Sequence, residues 1–431
     1  MAMVSDVRIV AHRPDPALLT LPWSVPLEEW DERTVVPLPR GLSRHVVRIV
    51  RVGRGIFAVK ETQEDIALRE YRLLRDLGRT GLPAVVPHGV VAGRTDAAGE
   101  PLPAALLTEH LRFSLPYRVV FSHSGVTGST SAEQVSLLVD ALVVLLVRLH
   151  LADFYWGDVS LSNVLFRRDA GAYTAYLVDA ETGEFKQHLS DRLREYDVTV
   201  GCENVFAELL DLQASGAVAD DLDPADVVEL LTDRYAALWA ELTSDEEFST
   251  AELWRIEQRV ERLNDLGFDV EELDIVTDLG GDVVRIRPRV VELGHHAREL
   301  RALTGLEVED NQARRLLNDI ASFTATFDLG NADRAAVGRR WRTEIYEPLA
   351  ALIPEDAAGR LEPAEFFHEV LVHRWYLSER AGREVDLFET ARDYIARILP
   401  ARPLEARTGI AEGPENAEGA GARGTDPLGD D

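Results

Sequence analysis

Lysine is nearly absent from this chain: of its 46 basic residues only Lys60 and Lys186 are lysine, and all the others are arginine. Where arginine serves almost everywhere, a retained lysine is either chance or the mark of a place that needs a compact ammonium rather than a planar guanidinium. Cysteine is scarcer still. Cys202 stands alone, which excludes an intrachain disulfide and points to a reducing compartment. The opening MAMVSDVRIVAHRP has no apolar secretory segment. The most apolar stretch, Val135 to Leu151, is interrupted by Asp140, Arg148 and His150, short of the roughly 18 clean residues a membrane span needs. Basic charge is in deficit, with 75 acidic residues giving a formal charge of -29. Such a surface repels nucleic acid phosphates and anionic headgroups. A soluble, cytoplasmic protein is expected, with no nucleic acid partner and no membrane span.

What the chain does have is length and apolar content: 431 residues, 46% of them hydrophobic, enough for two or three domains. Residues 1–32, with Pro14, Pro16, Pro22 and Pro26, read as an irregular lead-in. In 33–121 five strand-like runs follow, Thr34–Leu38, His45–Val52, Ile56–Glu61, Val85–Val91 and Ala104–Leu111. One helix, Asp65–Leu77, is inserted after the third. The region 122–223 opens with a polar linker, Ser122–Ser131, and an all-round apolar helix, Ala132–Leu151, expected to be buried on every side. From 224 to 400 amphipathic helices dominate, among them Pro224–Leu242, Ala313–Phe323 and Pro363–Glu379, with stripes that include Leu230, Trp239 and Trp254. A hairpin candidate interrupts them, Asp274–Thr277 and Val283–Glu292 around Gly280-Gly281. Residues 401–431, rich in Gly, Ala, Glu and Asp, are expected to be disordered.

Five positions taken in order carry the chemistry. Lys60 ends the strand Ile56–Lys60 and by period-two alternation shares a face with Ile56 and Ala58. In a nucleotide site that face lets a small alanine roof the adenine while the lysine pairs the α- and β-phosphates. A solvated strand end is the plain alternative. Glu70 argues against it, because its helix neighbours Ile66, Ala67, Leu73, Leu74 and Leu77 put a lone carboxylate inside an apolar stripe. A buried carboxylate needs a cation, and an ammonium at about 4 Å supplies roughly 4 kcal/mol at an effective dielectric near 20. The segment Tyr155–Phe166 then places Asn163 five residues after Asp158, between a buried helix and an apolar strand. Phosphoryl transfer uses such an aspartate on the acceptor hydroxyl and such an asparagine on a metal ion. Asp179 closes the strand Ala175–Val178, where a carboxylate bridging magnesium to the phosphates belongs, so Asn163 and Asp179 are the expected metal ligands. Glu181 and Glu184 read as solvated turn residues, with a part in the metal site as the alternative.

Other features carry less. Between the first two strands stands Pro39–His45 with one glycine, Gly41; backbone amides there, the Ser43 hydroxyl and Arg44 suit a phosphate, and an ordinary hairpin turn explains the same residues. His295, His296, His368 and His373 lack metal-site spacing and read as structural. Arg285, Arg287 and Arg289 alternate on one strand, as a solvated face or an anion-binding one.

At Lys60, Glu70, Asp158, Asn163 and Asp179 the chain resembles the lipopolysaccharide-kinase-like (Kdo/WaaP-type) branch of the protein kinase superfamily, and Asp158-Val159-Ser160 also resembles the RIO kinases. Arg262–Phe268, Asn311–Asp319 and His373–Glu379 resemble a domain of unknown function that accompanies such a region in an actinobacterial family. The resemblance implies an α+β fold, a bilobal protein-kinase-like half followed by a mostly helical C-terminal domain. It implies ATP and Mg2+ as cofactors, with Lys60, Glu70, Ala58, Gly41 and Ser43 at the nucleotide and Asp158, Asn163 and Lys60 as catalytic residues. The activity implied is transfer of a γ-phosphate to a hydroxyl of an unknown small molecule, glycan or protein. The single glycine between the first two strands and the missing loop lysine favour a second reading, a pseudokinase whose helical C-terminal domain docks a partner. Trp156-Gly157 replaces the usual His-Arg, Ser160 stands where kinases carry a lysine, and Ala180-Glu181 replaces Phe-Gly.

Overall fold

The computed structural model describes residues 7–402, apart from 13–14, 32–33, 37–44, 54, 123–130, 219–221, 245, 250–257, 259–267 and 278–282. Gly41, Ser43, Arg44, Trp254, Gly280-Gly281, most of the Ser122–Ser131 linker and the tail from 403 thus lie outside the described residues. So do the side chains of Arg285, Arg287 and Arg289.

A five-stranded antiparallel sheet opens the fold in the order β1-β4-β5-β3-β2. Its strands are β1 (Arg8–Ala11), β2 (Val47–Val52), β3 (Gly55–Thr62), β4 (Pro87–Ala92) and β5 (Ala104–Glu109). Helix α1 (Glu64–Arg79) leaves β3 and packs back on β4 and β5. The lead-in is not irregular throughout. Arg8–Ala11 forms the edge strand on β4, whereas Thr34–Leu38 contributes one described bridge, Val35 to Val50. The rest of the lead-in covers the sheet. Leu18, Trp23, Leu27 and Trp30 are buried against Val50, Phe57, Val59 and Leu107. Fully buried Arg94 staples it down, donating to Glu61 at 2.7 Å and to the carbonyls of Trp23 and Val25. Prolines hide this role from periodicity, because neither a helix nor a strand pattern survives them.

Below the sheet, β6 (Ser114–Pro116), α2 (Tyr117–Ser122), α3 (Ser131–Leu151), β7 (Phe154–Tyr155), β8 (Val164–Asp169), β9 (Ala172–Leu177), β10 (Glu184–Phe185) and α4 (Asp191–Ala214) form the second lobe. Helix α3 is apolar and long enough to cross a membrane, yet 67% of its most apolar window is buried in the protein. The β8–β9 hairpin turns through Ala170 and Gly171, both at positive φ. Helix α5 (Pro224–Thr243), counted above with the C-terminal region, packs on α3 and α4 and shares their core through Val227, Leu231, Tyr235 and Leu242.

A three-stranded sheet follows, β11 (Glu246–Ser249), β12 (Phe268–Thr277) and β13 (Val283–Leu293), longer than the expected hairpin, with Arg287 in register with Asp274. A second core gathers α6 (His295–Thr304), α7 (Asp310–Thr326), α8 (Arg334–Trp341), α9 (Pro363–Ala381) and α10 (Leu387–Arg397) around Trp341, Phe366, Phe367 and Tyr394. The fold is α+β, a bilobal kinase-like half followed by a mainly helical region.

The two cores meet at the β8–β9 turn. Buried Asp169 accepts from Gln312 N (2.8 Å), Asn311 N (3.3 Å) and Asn311 Nδ2 (3.0 Å) at the start of α7. Glu365 accepts from Ala170 N at 2.9 Å and from the Gln312 side chain at 3.0 Å. Arg167 pairs with Glu309 (2.8 Å) and Glu362 (2.7 Å), and the Tyr176 hydroxyl donates to Glu309.

Candidate nucleotide and phosphoryl-transfer site

Alternation along β3 sends Phe57 and Val59 to the covered outer face and Ala58 and Lys60 to the inner one. On α1 the buried residues are Ala67, Glu70, Tyr71, Leu74 and Leu77, so Glu70 lies within the apolar stripe, fully buried. The two meet: Lys60 Nζ is 3.0 Å from Glu70 Oε2. The same ammonium is 2.8 Å from Asp179 Oδ2 and 3.3 Å from Glu181 Oε2. Burial works against the ammonium, but Glu70, Asp179 and Glu181 outweigh it and hold its pKa above the ordinary lysine value. Burial pushes the Glu70 carboxyl upward, and Lys60 opposes that shift.

Glu181 is not the solvated turn residue expected. Its side chain is 16% exposed and reaches both Lys60 and His45, the latter at 3.0 Å. Arg69 on α1 fixes its backbone, donating to the carbonyls of Glu181 (3.2 Å) and Gly183 (2.8 Å). Glu184 does lie at the surface, beside Lys186.

Asp179 is placed by a short chain of ties. Leu177 exchanges hydrogen bonds with Pro83 and Val85, Val178 N donates to Asn163 O at 3.1 Å, and the Trp156 indole donates to the Asp179 carbonyl at 3.1 Å. Trp156 thus joins the loop of Asp158 to the segment of Asp179. Gly157, at φ +82°, supplies the turn between them, a conformation that a side chain strains.

The loop itself is held from below by residues that sequence reasoning missed. Asp197 on α4, fully buried, accepts from Trp156 N and Gly157 N, both at 2.7 Å, and is 3.2 Å from His150. Burial lowers the His150 pKa despite that carboxylate. Glu208 accepts from Leu161 N and Ser162 N, and Asn204 donates to Val159 O. Gly201 lets α4 approach, since a Cβ there would stand 2.9 Å from Val159 Cγ1. On this base Asn163 Nδ2 donates to the Asp158 carbonyl (2.9 Å) and carboxylate (3.1 Å), so the amide oxygen is the atom that could accept or ligate.

Two connected spaces border these groups. A cleft runs between Ile49 and Ala58 above and Asn163 and Leu165 below, with Thr108, Glu109 and His110 at its back and Lys60 and Asp179 at its inner end. A more open space in front is lined by His45, Asp158, Ser160, Asn163, Asp179 and Asn204. Asn163 and Asp179 border both. Their hard oxygen atoms suit a divalent cation such as Mg2+. Glu70, Asp179 and Glu181 also bring oxygens within 4.8 Å of one another, but Lys60 contacts all three and supplies the positive charge there.

A sheet with one inserted helix, a lysine–glutamate pair beneath it and a loop aspartate, asparagine and second aspartate across the cleft define a kinase-like protein. Residues 50–200 match the model of the Lipopolysaccharide kinase (Kdo/WaaP) family, and residues 237–399 match a Domain of unknown function, DUF4032. Among solved structures the chain is similar to WaaP in complex with acyl carrier protein, at 15% identity over 60% of this chain and 99% of that one, TM-score 0.33. It is similar to the BubR1 kinase domain, at 13% identity over 41% of this chain and 58% of that one, TM-score 0.29. A third is a Toxoplasma gondii specific rhoptry antigen kinase domain, at 16% identity over 35% and 49%, TM-score 0.26. No curated protein matches.

Proposed function

We propose that this chain is an ATP-dependent phosphotransferase, an atypical kinase acting in the cytoplasm on a hydroxyl acceptor. The observation that carries the reading is the shared ammonium of Lys60, held by Glu70 at 3.0 Å and Asp179 at 2.8 Å at the inner end of an apolar cleft. Structural burial of a glutamate requires one cation. It does not require that cation to face a cleft with a second carboxylate that borders the acceptor space.

In this reading Ala58, Ile49 and Leu165 sandwich the adenine, with the backbone of Glu109 to Leu111 at its polar edge. Lys60 binds the phosphates and Glu70 keeps the ammonium in place. Asn163 and Asp179 would hold Mg2+, whose chemistry is to neutralise charge on the transferring phosphoryl group. Asp158, in the open space, orients the acceptor hydroxyl and takes its proton as the oxygen attacks the γ-phosphorus and the bond to the departing ADP breaks. Asp197 and Glu208 are positioning residues, because they touch the loop and not the reactants. Ser160 stands at the place of a charge-neutralising lysine, which favours slow turnover and is the feature on which the pseudokinase reading rests.

The two aspartates separate these readings. Asp179→Asn is expected to weaken magnesium-dependent nucleotide binding. Asp158→Asn is expected to leave nucleotide binding nearly intact and to cut autophosphorylation or ATP hydrolysis by a factor on the order of 100 or more. Wild-type protein that binds magnesium-ATP yet turns over no faster than Asp158→Asn across a broad acceptor screen would decide for the pseudokinase.

A further inference from the structure

A second pocket lies far from Lys60, in the helical region against the β8–β9 turn. Its basic lining comes from three helices: His296 of α6, Arg314 and Arg315 of α7, and His368 of α9. Asn311 and Asn318 add amide groups, and Ala170 contributes the hairpin turn. The one carboxylate in the lining, Glu299, is already engaged by Arg334 at 2.6 Å. In a chain of formal charge -29, two arginines and two histidines around one engaged carboxylate run against the average.

The groups are set up to donate. Asp310 Oδ2 is 2.8 Å from His296 Nδ1, which fixes the orientation of the ring. Arg315 Nε and His368 Nδ1 are buried atoms with no hydrogen-bond partner among the described residues. Buried donors of this kind cost free energy unless something accepts from them. The His368 ring lies over the turn, its Nε2 3.8 Å from where a Cβ on Gly171 would stand. Burial lowers its pKa, Glu369 works the other way, and Arg315 adds to the lowering.

We propose that this pocket binds a small phosphorylated anion, bridging the helical region and the β8–β9 turn of the kinase-like half. A phosphoryl group offers three oxygens to partners arriving from several directions, which suits two arginines on one helix and an imidazole on each of two others better than a planar carboxylate does. The inference is independent of the phosphotransferase reading, because none of its residues borders the cleft. It nevertheless bears on that site: the hairpin turned at Ala170 joins the segment of Asn163 to that of Asp179.

Calorimetric titration of the full chain with inorganic phosphate, pyrophosphate and citrate, with divalent cations chelated, tests the proposal. Saturable phosphate or pyrophosphate binding is expected, weakened about tenfold or more by Arg315→Gln and unchanged by Lys60→Met. Asn318→Asp, at an exposed position that tolerates substitution, is expected to weaken it as well and covers the case in which Arg315→Gln fails to fold. Three results would overturn it: no saturable binding up to roughly 10 mM, binding lost in Lys60→Met but kept in Arg315→Gln and Asn318→Asp, or citrate bound in preference to both phosphates.

Discussion

Buried carboxylates occur in the cleft and at the joint between the two cores, and the two places answer them differently. In the cleft Glu70 is answered mainly by one ammonium that Asp179 and Glu181 share, with the Ala180 N–H at 3.3 Å on its other oxygen. At the joint Asp169 and Glu365 are answered mainly by neutral N–H groups, from Asn311, Gln312 and Ala170, with Arg167 serving Glu309 and Glu362. A shared ammonium can turn toward an incoming phosphate while keeping Glu70. A backbone N–H is fixed by its helix and has no second partner to turn to. The first arrangement suits exchange of ligands, and the second suits permanent attachment.

The sharpest way to break this contrast is Lys60→Met, which strands Glu70 in a fully buried position. Loss of about 3–5 kcal/mol is expected from removing one partner of a buried pair. Nucleotide-induced thermal shifts with ATP, GTP and ADP should vanish with it. Lys60→Arg sharpens the point, since a guanidinium restores charge and much of the stability without restoring nucleotide binding. Unchanged nucleotide affinity in Lys60→Met would remove Lys60 from the site.

A smaller loss is expected from Asp169→Ala. It leaves the first N–H groups of α7 and the Asn311 amide without an acceptor, at a cost of about 1–3 kcal/mol. Denaturant unfolding followed by circular dichroism should show an earlier first transition, while nucleotide affinity stays within about twofold. A variant as stable as wild type would show that Asp169 is not needed to hold the joint.

The mildest effect concerns pH. Burial raises the Glu365 pKa to about 7, outweighing the hydrogen bonds from Ala170 and Gln312. The folded state then binds a proton more tightly than the unfolded chain does. Its contribution to stability is present at low pH and declines as pH rises from about 4.5 to 7. Glu365→Gln should flatten that part of the stability profile, and an unchanged slope would assign it to another group, such as Asp169, raised to about 6.

How much of this can be read without coordinates depends on whether the signal is local. Glu70 is legible because a carboxylate breaks an apolar stripe within one helix, and Asp158 with Asn163 because five residues of loop set their spacing. Asp197 and Glu208 are not legible. They act on a loop some 40 residues earlier, and among 75 acidic residues nothing local singles them out. Glu181 is missed for a related reason: its neighbours suggest a turn, and only the approach of Lys60 from β3 and His45 from the bend before β2 covers it. The edge strand Arg8–Ala11 is four residues long, too short to outweigh the prolines behind it.

The crowding of three carboxylates around Lys60 has a consequence for covalent labelling. Acylating reagents attack an amine only as the free base, and the Lys60 ammonium is held protonated and 11% exposed. With Lys186 the only other lysine, at 27% side-chain exposure and beside a single surface glutamate, mild acylation should mark position 186 and spare position 60. A reagent delivered on a nucleotide would reverse that order, so the ratio of the two labels reads out occupancy of the cleft without any substitution in the chain.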